Sequence, residues 1–248
     1  MACEKDGFLY FPKQVGVPFF PYARRKLRAC DGTSFSGFYN LSYGCHQRHK
    51  KECVHLMQHS QRLTKLVFLS LLSGSAFLMQ YLDFPLPGFP TFLEIDFSDL
   101  PALVGGLVYG PAAGILVEFL KNLLHYLFSG SITGIPIGQM SNFLAGSIFV
   151  TVTVLISRKT GNVKGLVYGL VTATILMAAV MTIANWYVIF PAYSILIDWT
   201  VTHAQKMSLI LYGVAPFNVL KGLLIGFIFI PLYLKLKPYM EQRSLVRG

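Results

Sequence analysis

Of the 248 residues, 54% are hydrophobic and 13% are charged, and mean hydropathy is +0.54. The charged share is about half that of an ordinary soluble domain, which excludes most soluble enzyme folds and points to an all-α protein whose solvent is mostly lipid. The formal net charge of +10 does not argue for nucleic acid, because Lys and Arg gather at the chain ends and in short gaps between apolar runs, as orienting charges do.

Residues 1–61 are basic and rich in turn formers, with neither a run of about 18 apolar residues nor the apolar stretch of a secretory signal. They are expected to form a cytoplasmic leader without fixed structure, or an extension foreign to the natural protein. All four cysteines (Cys3, Cys30, Cys45, Cys53) lie in this part, so no disulfide framework holds the hydrophobic body. Cys45, His46, His49, Cys53, His55 and His59 are zinc-ligand types, but their spacing fits neither a CxxC pair nor a finger, and no metal site is expected. Met57 opens MQHSQRLTKL, a short polar lead into the first apolar run, and native translation is expected to begin near it.

A membrane domain of six transmembrane helices is expected over 62–240, followed by a cytoplasmic tail, 241–248. Leu63–Leu82 is the first span, with only Lys65 charged. DFPLPGFP (83–90) cannot continue a helix. Glu94, Asp96 and Asp99 then precede Leu100–Tyr109, which is too short to span unaided. After the break at Gly110 and Pro111 comes a third helix, 112–128, and after the polar loop 129–139 a fourth, 140–157, closed by Arg158, Lys159 and Lys164. Residues 165–197 lack any charged side chain over 33 positions, more than the roughly 20 of one perpendicular crossing. Pro191 is expected to end the fifth helix there, followed by a buried flap. The sixth span covers 207–234.

Basic segments before helix 1, between helices 4 and 5 and after helix 6 share one side if six spans are present, and the positive-inside rule makes that side cytoplasmic. The chain is thus read as a multi-pass protein of a cell membrane with both termini in the cytoplasm.

An ionisable residue near the middle of a span costs about 2.5–3.5 kcal/mol on insertion scales and needs a partner, a cavity or the interface. In PFNVLKG, Asn218 and Lys221 are three apart and share a helix face. Asn185 and Trp186 lie at a similar depth in helix 5. These polar groups either line a shared pocket or hydrogen-bond between helices while Lys221 snorkels outward. In the pocket reading, Asp96 or Glu94 supplies the acceptor for Lys221 if the first loop folds back. Glu118, Lys121, Asn122 and His125 form a second group along one stripe of helix 3. No HExxH, GxSxG or other nucleophile motif accompanies them, so the stripe reads as self-neutralising packing and no catalytic residue is expected. An integral membrane enzyme using Glu118, Lys121 and His125 is the rival reading. Ser70 and Gly74 of helix 1 form a small-residue pair four apart that permits close helix approach.

The segments EIDFSDLPALVGGLVYGPAAGILVEFLKNLLHYLFSG, NFLAG (142–146), IANWYVIFPAY and APFNVLKG resemble, in order over about 57–240, the riboflavin-binding S components of bacterial energy-coupling factor (ECF) transporters. The resemblance implies a six-helix subunit that captures riboflavin from outside as transported ligand, with no cofactor. It also implies a transmembrane T subunit and two ABC ATPases as partners, and this chain carries no GxxxxGK[ST] motif. Asn185, Asn218 and Lys221, with Asp96, are the implied substrate ligands, and Ser70 and Gly74 the implied docking site for the T subunit. Trp186, Tyr187, Phe84 and Phe92 are candidate apolar walls, although Trp and Tyr at this depth are equally ordinary as interfacial anchors. An S component for another vitamin, such as thiamine or a precursor, is the alternative within the family.

Overall fold

The computed structural model describes residues 3–5, 8–10, 62–90, 93–131, 134–198 and 202–245, the side chains through 238. The chain divides into two units, Met1–Thr64 and Lys65–Gly248. In the first, β1 (Cys3–Lys5) pairs antiparallel with β2 (Phe8–Tyr10). The Cys/His cluster at 45–59 and the start at Met57 lie outside the described residues.

The second unit is helical. Helix α1 (Arg62–Gln80) is followed by a short antiparallel pair, β3 (Phe84–Pro85) and β4 (Glu94–Ile95), in the loop after it. Helix α2 (Asp99–Tyr109) has 11 residues, too few to cross a bilayer at 1.5 Å each, and meets α3 (Pro111–Ser129) at Gly110. Gly110 has φ 109° and Pro111 opens the next helix, so a residue free of Cβ crowding and one with a preset φ together make the break. Helix α4 (Ile137–Thr160) ends in the left-handed Gly161 with Arg158 and Lys159 in its last turn. Asn162 then caps α5, its side chain accepting from the Gly165 amide at 2.8 Å.

The fifth helix does not stop at Pro191. Its α-helical part, Val163–Ala184, passes through a π-helical turn, Asn185–Ile189, and resumes as Phe190–Ile197. Within the π turn the Phe190 amide donates to Asn185 five residues back, and Pro191, without a donor of its own, sits in the first turn of the resumed helix where none is required. No buried flap follows: Ile195, Leu196 and Ile197 are exposed. The last helix, α6, begins at His203–Ser208 under a Thr202/Gln205 capping box, has its own π turn at Leu209–Val214, and runs on as Ala215–Leu245.

Four of these six helices, α1, α4, α5 and α6, are long and apolar enough to cross a membrane. Their outer faces carry large exposed apolar side chains such as Leu71, Leu78, Tyr187, Tyr212 and Phe227, as a lipid-solvated surface requires. The core joins Leu103 of α2, Val117 of α3, Phe149, Val150 and Val154 of α4, Leu166 and Met177 of α5, and Ile225 and Phe229 of α6. With lipid as solvent, such packing relies on close contact more than on hydrophobic transfer, so small residues sit at the crossings. A Cβ on Gly114 would lie 2.4 Å from Val150 Cγ1 and 3.1 Å from the Ala102 carbonyl oxygen. Gly114→Val should therefore destabilise the bundle by about 1–3 kcal/mol through overpacking, read as a lower thermal midpoint in detergent.

Candidate functional site

The loop after α1 is pinned at two places. Leu93 joins an apolar cluster with Phe190, Ile210 and Val214, and Phe89 meets Phe217 edge-on at 5.9 Å. At its polar end, the Asp96–Asp99 segment turns inward onto two buried lysines. This inward turn brings Asp96 to Lys221, 125 residues later in the chain.

Lys221 Nζ lies 3.1 Å from Asp96 Oδ2, 3.9 Å from Asp99 Oδ2, and donates to Asn142 Oδ1 at 3.0 Å. Asn142 in turn donates to Asp96 Oδ2 at 3.4 Å. Asp96 and Lys221 are both buried, at 4% exposure each, so Lys221 does not snorkel and its charge is neutralised within the fold. Burial alone would raise the Asp96 carboxyl, but the ammonium groups of Lys221 and Lys121 and the hydrogen bond from Ser98 outweigh it and hold Asp96 well below the usual carboxylate range. Glu94, at the loop edge, is shifted the other way, by desolvation and then by the adjacent charge of Asp83.

Asn185 and Asn218 use their amide nitrogens within their own helices, donating to the Met181 and Val214 carbonyls at 2.8 Å each. Neither amide oxygen has a protein donor of its own among the described residues. Asn185 opens the π turn of α5, and Asn218 follows that of α6 by four residues. A π turn widens the helix locally and redirects the side chains beside it.

These groups line one cavity of about 210 Å³. Asp96, Asn185, Asn218 and Lys221, the four residues read as substrate ligands, all face it. Gln80, Asp83, Glu94, His125, Gln139, Ser141, Asn142 and Tyr193 add polar lining, while Leu93, Ala145, Met181, Ile189 and Phe217 supply the apolar part. The proposed aromatic walls are different. Trp186 meets His203 edge-on and lies under Lys206, 4.7 Å from its ring centre. Tyr187 is 72% exposed on the outer face, and Phe84 is exposed and packs on Phe97. Phe92 lies outside the described residues.

The helix 3 stripe is structural over most of its length. Lys121 reaches Asp99 at 2.5 Å and Glu118 at 2.9 Å, with both acids and the lysine fully enclosed. Asn122 accepts from Gln80 and donates to the Glu118 carbonyl. Only His125, at the far end, faces the cavity. Gly146 makes room for the Glu118 carboxyl, since a Cβ there would stand 2.3 Å from Oε2. On α1, Ser70 is exposed and nothing lies within 4 Å of where a Gly74 Cβ would be, so this face has no partner within the described chain.

Six helices, the spanning ones with apolar outer faces, around a polar, partly enclosed cavity define a multi-pass membrane protein with a small-molecule site. Residues 64–233 match the family model "ECF transporter, substrate-specific component". The chain is 42% identical to the riboflavin transporter FmnP of Bacillus subtilis over 183 residues, 73% of this chain and 96% of that protein. It is 38% identical to the riboflavin transporter RibU of Staphylococcus aureus over 182 residues, 73% of this chain and 95% of that protein. A solved structure described as "Structure and mechanism of the S component of a bacterial ECF transporter" superposes with a TM-score of 0.63 at 37% identity, covering 72% of this chain and 98% of that one. The chain belongs to the family of substrate-specific components of ECF transporters.

Because the folded Asp96 carboxyl lies below its ordinary value of 3.8, its ionised form stabilises the fold fully above that pH, and the contribution is lost as pH falls below it. Thermal midpoints of the native protein should therefore drop on acidification below about pH 4, and Asp96→Asn should flatten that part of the profile while lowering the midpoint at neutral pH.

Proposed function

We propose that this chain is the riboflavin-capturing subunit of an ECF transporter and that Asn185, Asn218, Lys221 and Asp96 hold the vitamin. The observation that carries the reading is the convergence of two asparagines, whose amide oxygens lack a protein donor among the described residues, and a neutralised Lys–Asp pair on one cavity with a partly apolar lining. Riboflavin combines a flat ring system, apolar along its xylene edge, with an imide edge and a chain of hydroxyls. Asparagine oxygens accept from imide N–H or hydroxyl, and an ammonium donates to carbonyl or hydroxyl. Leu93, Met181, Ile189 and Phe217 suit the ring faces. The relatives named as riboflavin transporters support this choice over another vitamin.

The two termini are assigned to the cytoplasm and the cavity mouth to the outside. Binding is not coupled to hydrolysis within this chain; a T subunit and two ATPases supply the energy, and no catalytic role is assigned to any residue here. The open face of α1 at Ser70 and Gly74 suits docking of that T subunit by close helix packing.

Titrating riboflavin into the purified protein tests the site. Lys221→Ala and Asn218→Ala should each weaken binding by about 1–3 kcal/mol, and unchanged affinity in both would remove the assignment. Gly74→Leu should leave riboflavin affinity unchanged and reduce co-purification of the T subunit; undiminished assembly would reject α1 as the docking face.

A further inference from the structure

Lys121 is as deeply enclosed as any residue described, at 0% exposure, yet it does not line the cavity. Its ammonium has three N–H donors and three oxygen partners: Asp99 Oδ1 at 2.5 Å, Ser98 Oγ at 2.6 Å and Glu118 Oε2 at 2.9 Å. Two of these contacts, to Asp99 and Ser98, are hydrogen bonds and the third is an ion pair, so its position is fixed from α2, α3 and the turn before α2 together. The Ser98 hydroxyl, having accepted from Lys121, directs its own proton to Asp96 Oδ1, the same oxygen that accepts the Ser98 amide at 2.9 Å. Asp96 is thus held through one oxygen from the Lys121 side, while its other oxygen receives Lys221 and Asn142 in the cavity wall.

We propose that Lys121 and Ser98 are positioning residues for the riboflavin site, acting on it through Asp96. The proposal rests on the functional reading above. An ammonium, a hydroxyl, a carboxylate and a second ammonium form one continuous relay from the α2–α3 junction to the cavity, and each link polarises the next. A residue that served only to staple α2 to α3 would have no need of this connection, since Asp99 and Glu118 alone satisfy that task. Through Ser98, the same lysine fixes the orientation of the carboxylate nearest to Lys221.

The test is a double-mutant cycle on riboflavin affinity in the full-length protein. Ser98→Ala leaves both Lys121 ion pairs and the Ser98 amide bond in place, and should weaken binding about tenfold, the effect of one hydrogen bond to a charged group. In the near-isosteric Asp96→Asn background the same change should cost less than about twofold, because the path is already broken. Lys121→Gln, which retains an N–H donor without the charge, should show the same dependence on Asp96. Should Lys121→Gln fail to fold, the Ser98 cycle decides by itself. Equal losses from Ser98→Ala in both backgrounds, or no loss in the native one, would overturn the proposal while leaving the functional reading intact. Absence of riboflavin binding by the native chain would remove both.

Discussion

A lysine placed inside a helical membrane bundle must find a carboxylate, and the arrangement of this molecule follows from how Lys221 does so. Its nearest carboxylate, Asp96, is on the loop after α1, with Asp99 at the start of α2 farther off at 3.9 Å, so neutralising the charge closely requires that loop to fold inward across the bundle. Asp96 and Lys221 are each 4% exposed, which means that both have surrendered nearly all their water. Breaking such a pair by removing one member typically costs about 3–5 kcal/mol, whereas replacing both by well-packed apolar groups is often neutral. Stability alone therefore does not explain why charges are kept here. The proposed role, a cavity presenting fixed donors and acceptors to a polar ligand, does explain it.

The two π turns complement this constraint. Asn185 and Asn218 would, in uninterrupted α-helices, still donate to their own backbones four residues back. The local widening at 185–189 and 209–214 shifts the register of each helix beside the cavity, and Asn185 and Asn218 line the same space as the Asp96–Lys221 pair. The polar groups lining the cavity thus come from three kinds of local structure: an inward-folded loop, two π-distorted helices, and the polar first turns of α4, where Asn142 sits.

Much of this was legible in the sequence, for physical reasons that differ by element. Helices α1, α4 and α6 announce themselves as apolar runs of spanning length, and the DFPLPGFP segment announces its own break. Asn185, Asn218 and Lys221 stood out because a polar group is costly at that depth, and Asp96 because Lys221 needed an acceptor. Pro191 misled, since a lone proline in an apolar run signals a helix end unless an upstream π turn makes its missing donor harmless, and nothing in IANWYVIF marks such a turn. The aromatic walls misled as well: Trp and Tyr at this depth serve equally as outward anchors, and composition cannot tell which side of a helix faces lipid. Asn142 and Gln80 escaped notice because each lies near a helix end, where a polar residue is ordinary. Lys121 was visible as part of a stripe, but its bond to Ser98 depends on the approach of α2 to α3, which periodicity does not encode.

The central claim is that this cavity exists to hold riboflavin, and the visible absorption spectrum of the protein, purified in mild detergent from cells supplied with riboflavin, tests it most directly. The account predicts a yellow preparation whose flavin band corresponds to one flavin per chain and disappears after exhaustive ligand exchange. A colourless, folded preparation that stays colourless when riboflavin is added back and the excess removed would contradict it.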